Sequence, residues 1–425
     1  MLGFIIGAMR RELGAVRRRR REITRWTRAW ARIAAAGVIL ALPVTNAALS
    51  AAVPAPGTFA YVINTTPNNT VSVVNTKTNL VTDTIPIPGL VGSFPSAAVV
   101  NRAGTKLYVI KTSSVSVFDT KTYAVTTVNL LPFSLAGCVD AALNPAGTRL
   151  YIACVGTNLG VIDTSNNNVS TIPLGGGSSP RGVAVNPTGT RVYTANSDSD
   201  DVTVIDTSNN SASIIDLDGG DINPDMVVVN PSGTRAYVTN GDGSVSTINT
   251  AGAGTQILPN VAVGVLPTAE AVSPDGTRLY VTVDGTPDTV VVFDTTTTPI
   301  SVVGAITTGI SIPRGVAFNP AGTFAYVTNA GGSPNLAAID TVLLSVTDTV
   351  PVSNPFGVAV GAVPGTTTAS CPGGKFMTGG GAELTGPEPS YFSSKPVNDT
   401  WEVSLTNPTN QDITVRPYAV CSDPA

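Results

Sequence analysis

The sequence predicts an all-β fold: a seven-bladed β-propeller closed by strand exchange between its termini, followed by a small C-terminal β-module. Three observations lead there. Seven tyrosines, Tyr61, Tyr108, Tyr151, Tyr193, Tyr237, Tyr280 and Tyr326, recur at intervals of 42 to 47 residues. Each stands in a short run of Val, Ile, Thr and Ala bounded by turn residues, and a period in the low forties built this way marks a propeller blade. Finally, the strand that the first repeat lacks turns up after the last one.

One full unit runs from Pro180 to Leu217. Gly182-Val183-Ala184-Val185 reads as strand a. Asn186-Pro187-Thr188-Gly189-Thr190 reads as a turn, because Pro presets one backbone dihedral and Gly supplies the unusual one. Arg191-Val192-Tyr193-Thr194-Ala195-Asn196 is strand b, and Val202-Thr203-Val204-Ile205-Asp206-Thr207 is strand c. Both are rich in residues that suit a pleated surface. An Asn/Ser turn then leads to strand d near Ile214-Ile215-Asp216-Leu217.

Strand a and its turn precede strand b six times, at Ser96–Asn101, Val139–Asn144, Arg181–Asn186, Asp225–Asn230, Thr268–Ser273 and Arg314–Asn319. Tyr61 has only the turn remnant Pro56-Gly57-Thr58 before it. Pro355-Phe356-Gly357-Val358-Ala359-Val360 is a strand a with no strand b after it. The expected solution is a ring in which Phe356–Val360 becomes the inner strand of blade one. That closure leaves no open seam, and each blade buries its faces against two neighbours. The expected domains are a targeting segment (1–50), the propeller (54–360), a linker (361–370) and a module (371–425).

The strand b motifs Tyr237-Val238-Thr239-Asn240 and Tyr326-Val327-Thr328-Asn329 resemble the YVTN family of β-propeller repeats, found in archaeal surface-layer proteins and exported bacterial propellers. Tyr61-Val62-Ile63-Asn64, Tyr151-Ile152-Ala153-Cys154 and Tyr280-Val281-Thr282-Val283 depart from the motif. The resemblance covers roughly residues 54 to 360. It implies the fold, while function has to be argued from a site.

The N-terminus carries ten arginines between Arg10 and Arg32, then the apolar run Ile33–Leu42, then small residues around Ala47, Ser50 and Ala52. That order predicts a secretory signal cleaved between Ala47 and Ala52. The run is shorter than the about 20 residues a membrane span needs, so no integral span is expected in the processed chain. The whole chain has 24 basic and 28 acidic residues; the first 50 hold ten Arg and two Glu, leaving 14 and 26, a net of −12. Nucleic-acid affinity rests on neutralising phosphate, so a nucleic-acid partner is not expected. The destination expected is secreted or cell-surface, with a protein or a cell-wall glycan as partner.

Four cysteines fit an oxidising compartment. Cys138 on a strand a and Cys154 on the following strand b are equidistant from the turn near Ala146. They are expected to face each other and form a disulfide. Cys371 and Cys421 bracket the tail and are expected to pair as well. In that tail, Trp401–Leu405 and Ile413–Val415 alternate as half-buried strands do, with Gln411 and Asp412 as the turn between them. The module resembles Cys-flanked β-modules at the ends of actinobacterial exported proteins.

The chain has no histidine. This excludes Ser-His-Asp triads, Cys-His nucleophiles and imidazole metal or haem ligands. No phosphate-binding Gly loop stands between a strand and a helix. Acidic residues form two candidate constellations. Loops expected on one face hold Asp198, Asp200, Asp201, Asp218, Asp221 and Asp242, with Asp284 and Asp288 nearby in the next blade. Clustered carboxylates among Gly and Asn suit Ca²⁺; no other cofactor is expected. The strand a starts, Ser96, Val139, Arg181, Asp225, Thr268, Arg314 and Phe356, should line the axial channel at the same face. There Arg181 and Arg314 are positioned to hold an anionic ligand, with Asp225 and Glu270 beside them. The expected function is a non-enzymatic exported propeller acting as a binding or surface scaffold. The alternative is a lactonase-like hydrolase using acidic residues or a metal on the loop face.

Overall fold

Seven four-stranded antiparallel sheets make up the propeller. The computed structural model describes residues 57–89 and 94–363, apart from 218, 219, 221 and 253, and beyond them the backbone of five strands. The expected targeting segment 1–50 lies outside the described residues. So does Cys371, and with it the expected Cys371–Cys421 pair. Among the described residues one 3-10 turn, Leu131–Phe133, is the only helical segment, and none is long and apolar enough to cross a membrane.

The ring closes as the permuted repeat requires. Pro355–Val363 pairs antiparallel with Gly57–Asn64, placing Tyr61 opposite Ala359 and Val62 opposite Val358. The sheet order is Pro355–Val363, Gly57–Asn64, Thr70–Asn75, Leu80–Pro86. The last blade is tied to this strand as well, because Thr328 Oγ1 donates to the Phe356 carbonyl at 2.8 Å.

Packing explains why strands b and c read as near-continuous apolar runs. Both of their faces press against neighbouring blades. Arg191–Asn196 is buried from its second residue on and Asp201–Asp206 up to its last, while Ser211–Asp216 on the rim keeps one buried residue, Ile215. The repeat tyrosines are the largest members of this core, each almost wholly enclosed. The Asn that ends strand b is buried where it occurs. Asn64 Nδ2 donates to Ser72 Oγ at 2.8 Å, Asn196 Nδ2 to Thr203 Oγ1 at 2.8 Å and Asn240 Nδ2 to Ser246 Oγ at 2.8 Å. The motif asparagine therefore latches strand b to strand c.

The opposite face carries the Asn-Pro-x-Gly-Thr turns. Asn186 Oδ1 accepts from the Arg191 amide at 2.9 Å, and Gly189 takes φ +73°, the left-handed region that glycine enters without strain. The Thr closing strand c returns to the same turn: Thr207 Oγ1 donates to the Gly189 carbonyl at 2.8 Å. The Asp before it accepts from the Ser208 amide and hydroxyl, which holds its carboxyl below the usual range.

Cys138 and Cys154 form a disulfide between strands a and b of one blade. The register there is less simple than symmetry about Ala146 suggests. Ala136 pairs with Val155 and Asp140 with Ala153, and the intervening shift places Cys138 inside a bulge.

Two expectations for the tail are corrected. The stretch 361–370 is not a free linker: Gly361–Val363 continues the inner strand, and Gly365–Ser370 pairs with Thr400–Thr406. The run of threonines there has the β-branched shape that favours extended backbone. The turn expected at Gln411 and Asp412 lies outside the described residues, and the strands on either side of it do not pair with each other. Thr400–Thr406 lies in one sheet with Gly365–Ser370 and Tyr391–Val397, and Thr414–Ser422 pairs with Phe376–Thr385 in another. Alternation identifies a half-buried strand but carries no information about its partner.

Candidate functional site: the axial channel

Because strand a of every blade is innermost, the seven starts converge on the axis. They line an open channel of about 890 Å³, and Ser96, Val139, Arg181, Asp225, Thr268, Arg314 and Phe356 all contribute to its wall. Neighbouring starts are linked in rotation. Ser96 Oγ donates to the Cys138 carbonyl at 3.1 Å and Thr268 Oγ1 to the Pro313 carbonyl at 2.7 Å. Arg181 makes the equivalent link as an ion pair with Asp225.

The channel brings together all four residues expected to form a ligand site: Arg181, Asp225, Glu270 and Arg314. They do not act on one another as a single group. Arg181 pairs with Asp225, while Arg314 Nη2 pairs with Asp284 Oδ2 at 3.1 Å. Each guanidinium thus already has a carboxylate.

Glu270 differs from the other acids. It is 8% exposed, and neither carboxyl oxygen has a hydrogen-bond partner. Burial pushes its proton affinity well up, and the charges of Asp225 and Asp140 add to the effect. An ionised carboxylate without donors is costly in such a place, which favours the protonated form.

Asp140 is a second acid of the channel, half-buried, and is not among the residues expected from the sequence. It lies on the wall of the channel, enclosed by protein yet reached by solvent along the axis. Its Oδ2 accepts from the Val183 amide of the next blade at 2.9 Å. Burial raises its pKa to about 7 and Asp225 adds to the rise, against amide donors from Val183 and Ala141 that lower it. A signal was available. Register aligns Asp140 with Gly182, Met226, Ala269 and Gly315 of other blades, and Glu270 with Val183, Val227 and Val316. A carboxylate at a position otherwise small or apolar marks a departure from the structural repeat.

Four of the acids expected to hold calcium lie among the described residues, each with a protein hydrogen-bond donor. Asp198 Oδ2 accepts from Ser179 Oγ at 2.5 Å, Asp200 Oδ1 from the Asn223 amide at 2.7 Å and Asp201 Oδ1 from Asn196 Nδ2 at 2.6 Å. Asp242 Oδ1 accepts from the Ser244 amide at 2.9 Å. Asp218 and Asp221 lie outside the described residues. Among those described, no three acidic or cysteine side chains gather where they could hold one metal ion.

No family model matches the chain, and no curated protein does. Solved structures match more than half of the chain. The periplasmic gluconolactonase of Pseudomonas aeruginosa is 16% identical, with 72% of this chain and 100% of that chain covered at a TM-score of 0.58. A functionally unknown protein from Desulfotomaculum acetoxidans is 19% identical, with 72% and 99% covered at 0.60. The hydrazine synthase of Kuenenia stuttgartiensis is 21% identical, with 59% and 78% covered at 0.52. The likeness is one of fold. Two of these neighbours are named for different reactions, as propellers often are, so a function for this chain has to come from its own channel.

Proposed function

We propose that the protein is an exported, non-enzymatic β-propeller of the YVTN type that binds a small ligand in its axial channel. The observation that carries this reading is Glu270, an enclosed carboxyl without a partner on the wall of an open channel. Buried polar groups are nearly always hydrogen-bonded, and a ligand would supply what the protein leaves out. Export is supported by the basic, apolar and small-residue order of the N-terminus and by the Cys138–Cys154 disulfide. The tail module, or the outer face of the propeller, would then serve attachment to a cell-wall glycan or a protein.

The test is calorimetry on the secreted protein with sugars, sugar lactones, amines and wall glycans, repeated with Glu270→Gln. At least one small molecule should bind wild type and lose affinity in the variant. Small-molecule binding that is indifferent to Glu270, or confined to residues 371–425, would overturn the channel reading.

A lactonase is the second reading, favoured by one observation: an enclosed, unpartnered carboxyl, Glu270, which burial disposes toward its protonated form, stands on the channel wall. In lactone hydrolysis water adds to the carbonyl carbon, the ring C–O bond breaks and the departing alkoxide takes a proton, which Glu270 could donate. Acid release from gluconolactone in a pH-stat separates the two. The binding reading expects only the spontaneous rate.

A further inference from the structure

We infer that the axial channel is built for a small organic cation, an alkyl ammonium or diammonium compound held between Asp140 and Glu270; this rests on the channel being the ligand site.

Charge accounting within the channel is the first ground. Its wall carries four acids, Asp140, Asp225, Glu270 and Asp284, and two bases, Arg181 and Arg314. Asp225 and Asp284 each hold one of the arginines. No base of the channel is left for Asp140 or Glu270. The arginines, read from the sequence as anchors for an anion, are therefore already neutralised.

The geometry of the two remaining acids is the second. Asp140 belongs to the third blade and Glu270 to the sixth, so they face the axis from different sides. Both stand on the wall of the same channel, and the charge of Asp140 adds to the rise in Glu270's proton affinity. Asp140 has amide donors from Val183 of the next blade and from its own neighbour Ala141, and Glu270 has none. An ammonium group offers three donors and the missing charge at once. Its charge would favour the ionised form of both carboxyls, against the burial that opposes it.

The wall between them decides which cation fits. Exposed Leu266 and Phe356 and half-buried Val139 and Val358 line the channel, and such a surface suits a hydrocarbon stem. A calcium ion needs six to eight oxygens at one point, and no three acidic or cysteine side chains converge among the described residues. An alkyl diammonium needs only separated acceptors with apolar wall between.

The test is titration calorimetry of the full-length secreted protein at pH 8 with 1,4-diaminobutane, and with 1,4-butanediol and gluconolactone as neutral probes. Wild type, E270Q and D140N are compared after melting curves show that each is folded; E270Q mimics the protonated form and should fold normally. The diamine should bind, release protons to buffer and weaken by about tenfold or more in E270Q, the scale of one charge-assisted hydrogen bond. Butanediol should not bind. No diamine binding, or equal binding by wild type and both variants, overturns the inference, the latter showing attraction to the acidic surface alone. Gluconolactone binding that depends on Glu270 without diamine binding also overturns it, but leaves the channel reading standing. Failure of every probe to depend on Glu270 removes both.

Discussion

Tyr61 and Ala359 lie opposite each other across an antiparallel ladder, although they stand at the two ends of the propeller sequence. The fold of every other blade is local in sequence, and this one is not. Loop closure over the whole ring has to occur before blade one is complete. The contact is the last to become possible and the one that removes the free edge.

Truncation tests this directly. A chain ending at Asn354 lacks the inner strand of blade one and exposes the edge of Gly57–Asn64, whose residues after Gly57 are buried in the intact ring. It should aggregate or melt without a cooperative transition. A chain ending at Val363 keeps the strand and should retain a cooperative melt close to that of the intact protein. Similar melting of both would show that closure contributes little to stability.

Asn240 should matter through its hydrogen bonds. It is fully buried and donates to Ser244 Oγ and Ser246 Oγ at 3.0 and 2.8 Å. Asn240→Ala should cost about 1–3 kcal/mol, because buried Ser246 and half-buried Ser244 lose a donor. Blade six carries Val283 and Val291 at the corresponding places, both buried. The double substitution N240V/S246V should therefore recover much of that loss in chemical denaturation. A double variant as weak as Asn240→Ala would show that the latch is more than a satisfied polar pair.

Gly182 marks how closely adjacent blades approach. A Cβ there would stand 2.7 Å from Met226 Cα and 2.8 Å from the Asp225 carbonyl oxygen, backbone that has no room to move aside. Gly182→Ala should destabilise by about 1–3 kcal/mol, the range for overpacking. Gly304→Ala is the control: its Cβ would meet only Leu344 Cδ1, at 3.0 Å, a flexible side chain. Denaturation midpoints should fall clearly for the first and little for the second.

Blade count and ring closure were legible because a propeller repeats its turn chemistry. Each Asn-Pro-x-Gly-Thr signal reports one reversal, and a missing strand a at one end with a surplus one at the other leaves a single consistent closure. The channel was legible in part. The first position of strand a pointed to Arg181, Asp225 and Arg314 at the axis, and all three are there. Which carboxylate answers each arginine was not, since Asp284 arrives from a loop whose path the repeat does not dictate. Asp140 escaped notice because it sits one residue past the aligned start, in a strand distorted by the bulge that also holds Cys138. The tail was the least legible: its strands were visible, their partners were not.

The buried acids should make stability depend on pH in a chain without histidine. Burial raises Asp140 from 3.8 to about 7 and Glu270 well above 4.5, and Asp201 is raised too, by burial against its hydrogen bonds from Asn196 and Ser199. The groups facing Glu270 and Asp140 in the channel are Asp225 with Arg181 and Asp284 with Arg314, two neutralised pairs. A carboxyl with a raised folded pKa is protonated in the folded state while the unfolded chain has already lost its proton. The folded state then binds more protons, so stability falls as pH rises. The loss begins near the unfolded value of about 4 and, for Asp140, is complete once pH passes about 7. Histidine is the side chain whose ordinary titration would obscure this window, and the sequence has none. The melting temperature should drop between pH 5 and pH 8 in wild type. In D140N/E270Q the slope should shrink to what Asp201 leaves. An equal slope in the double variant would mean that these two carboxyls are ionised throughout the range, and that the channel is wetter at Glu270 than its enclosure implies.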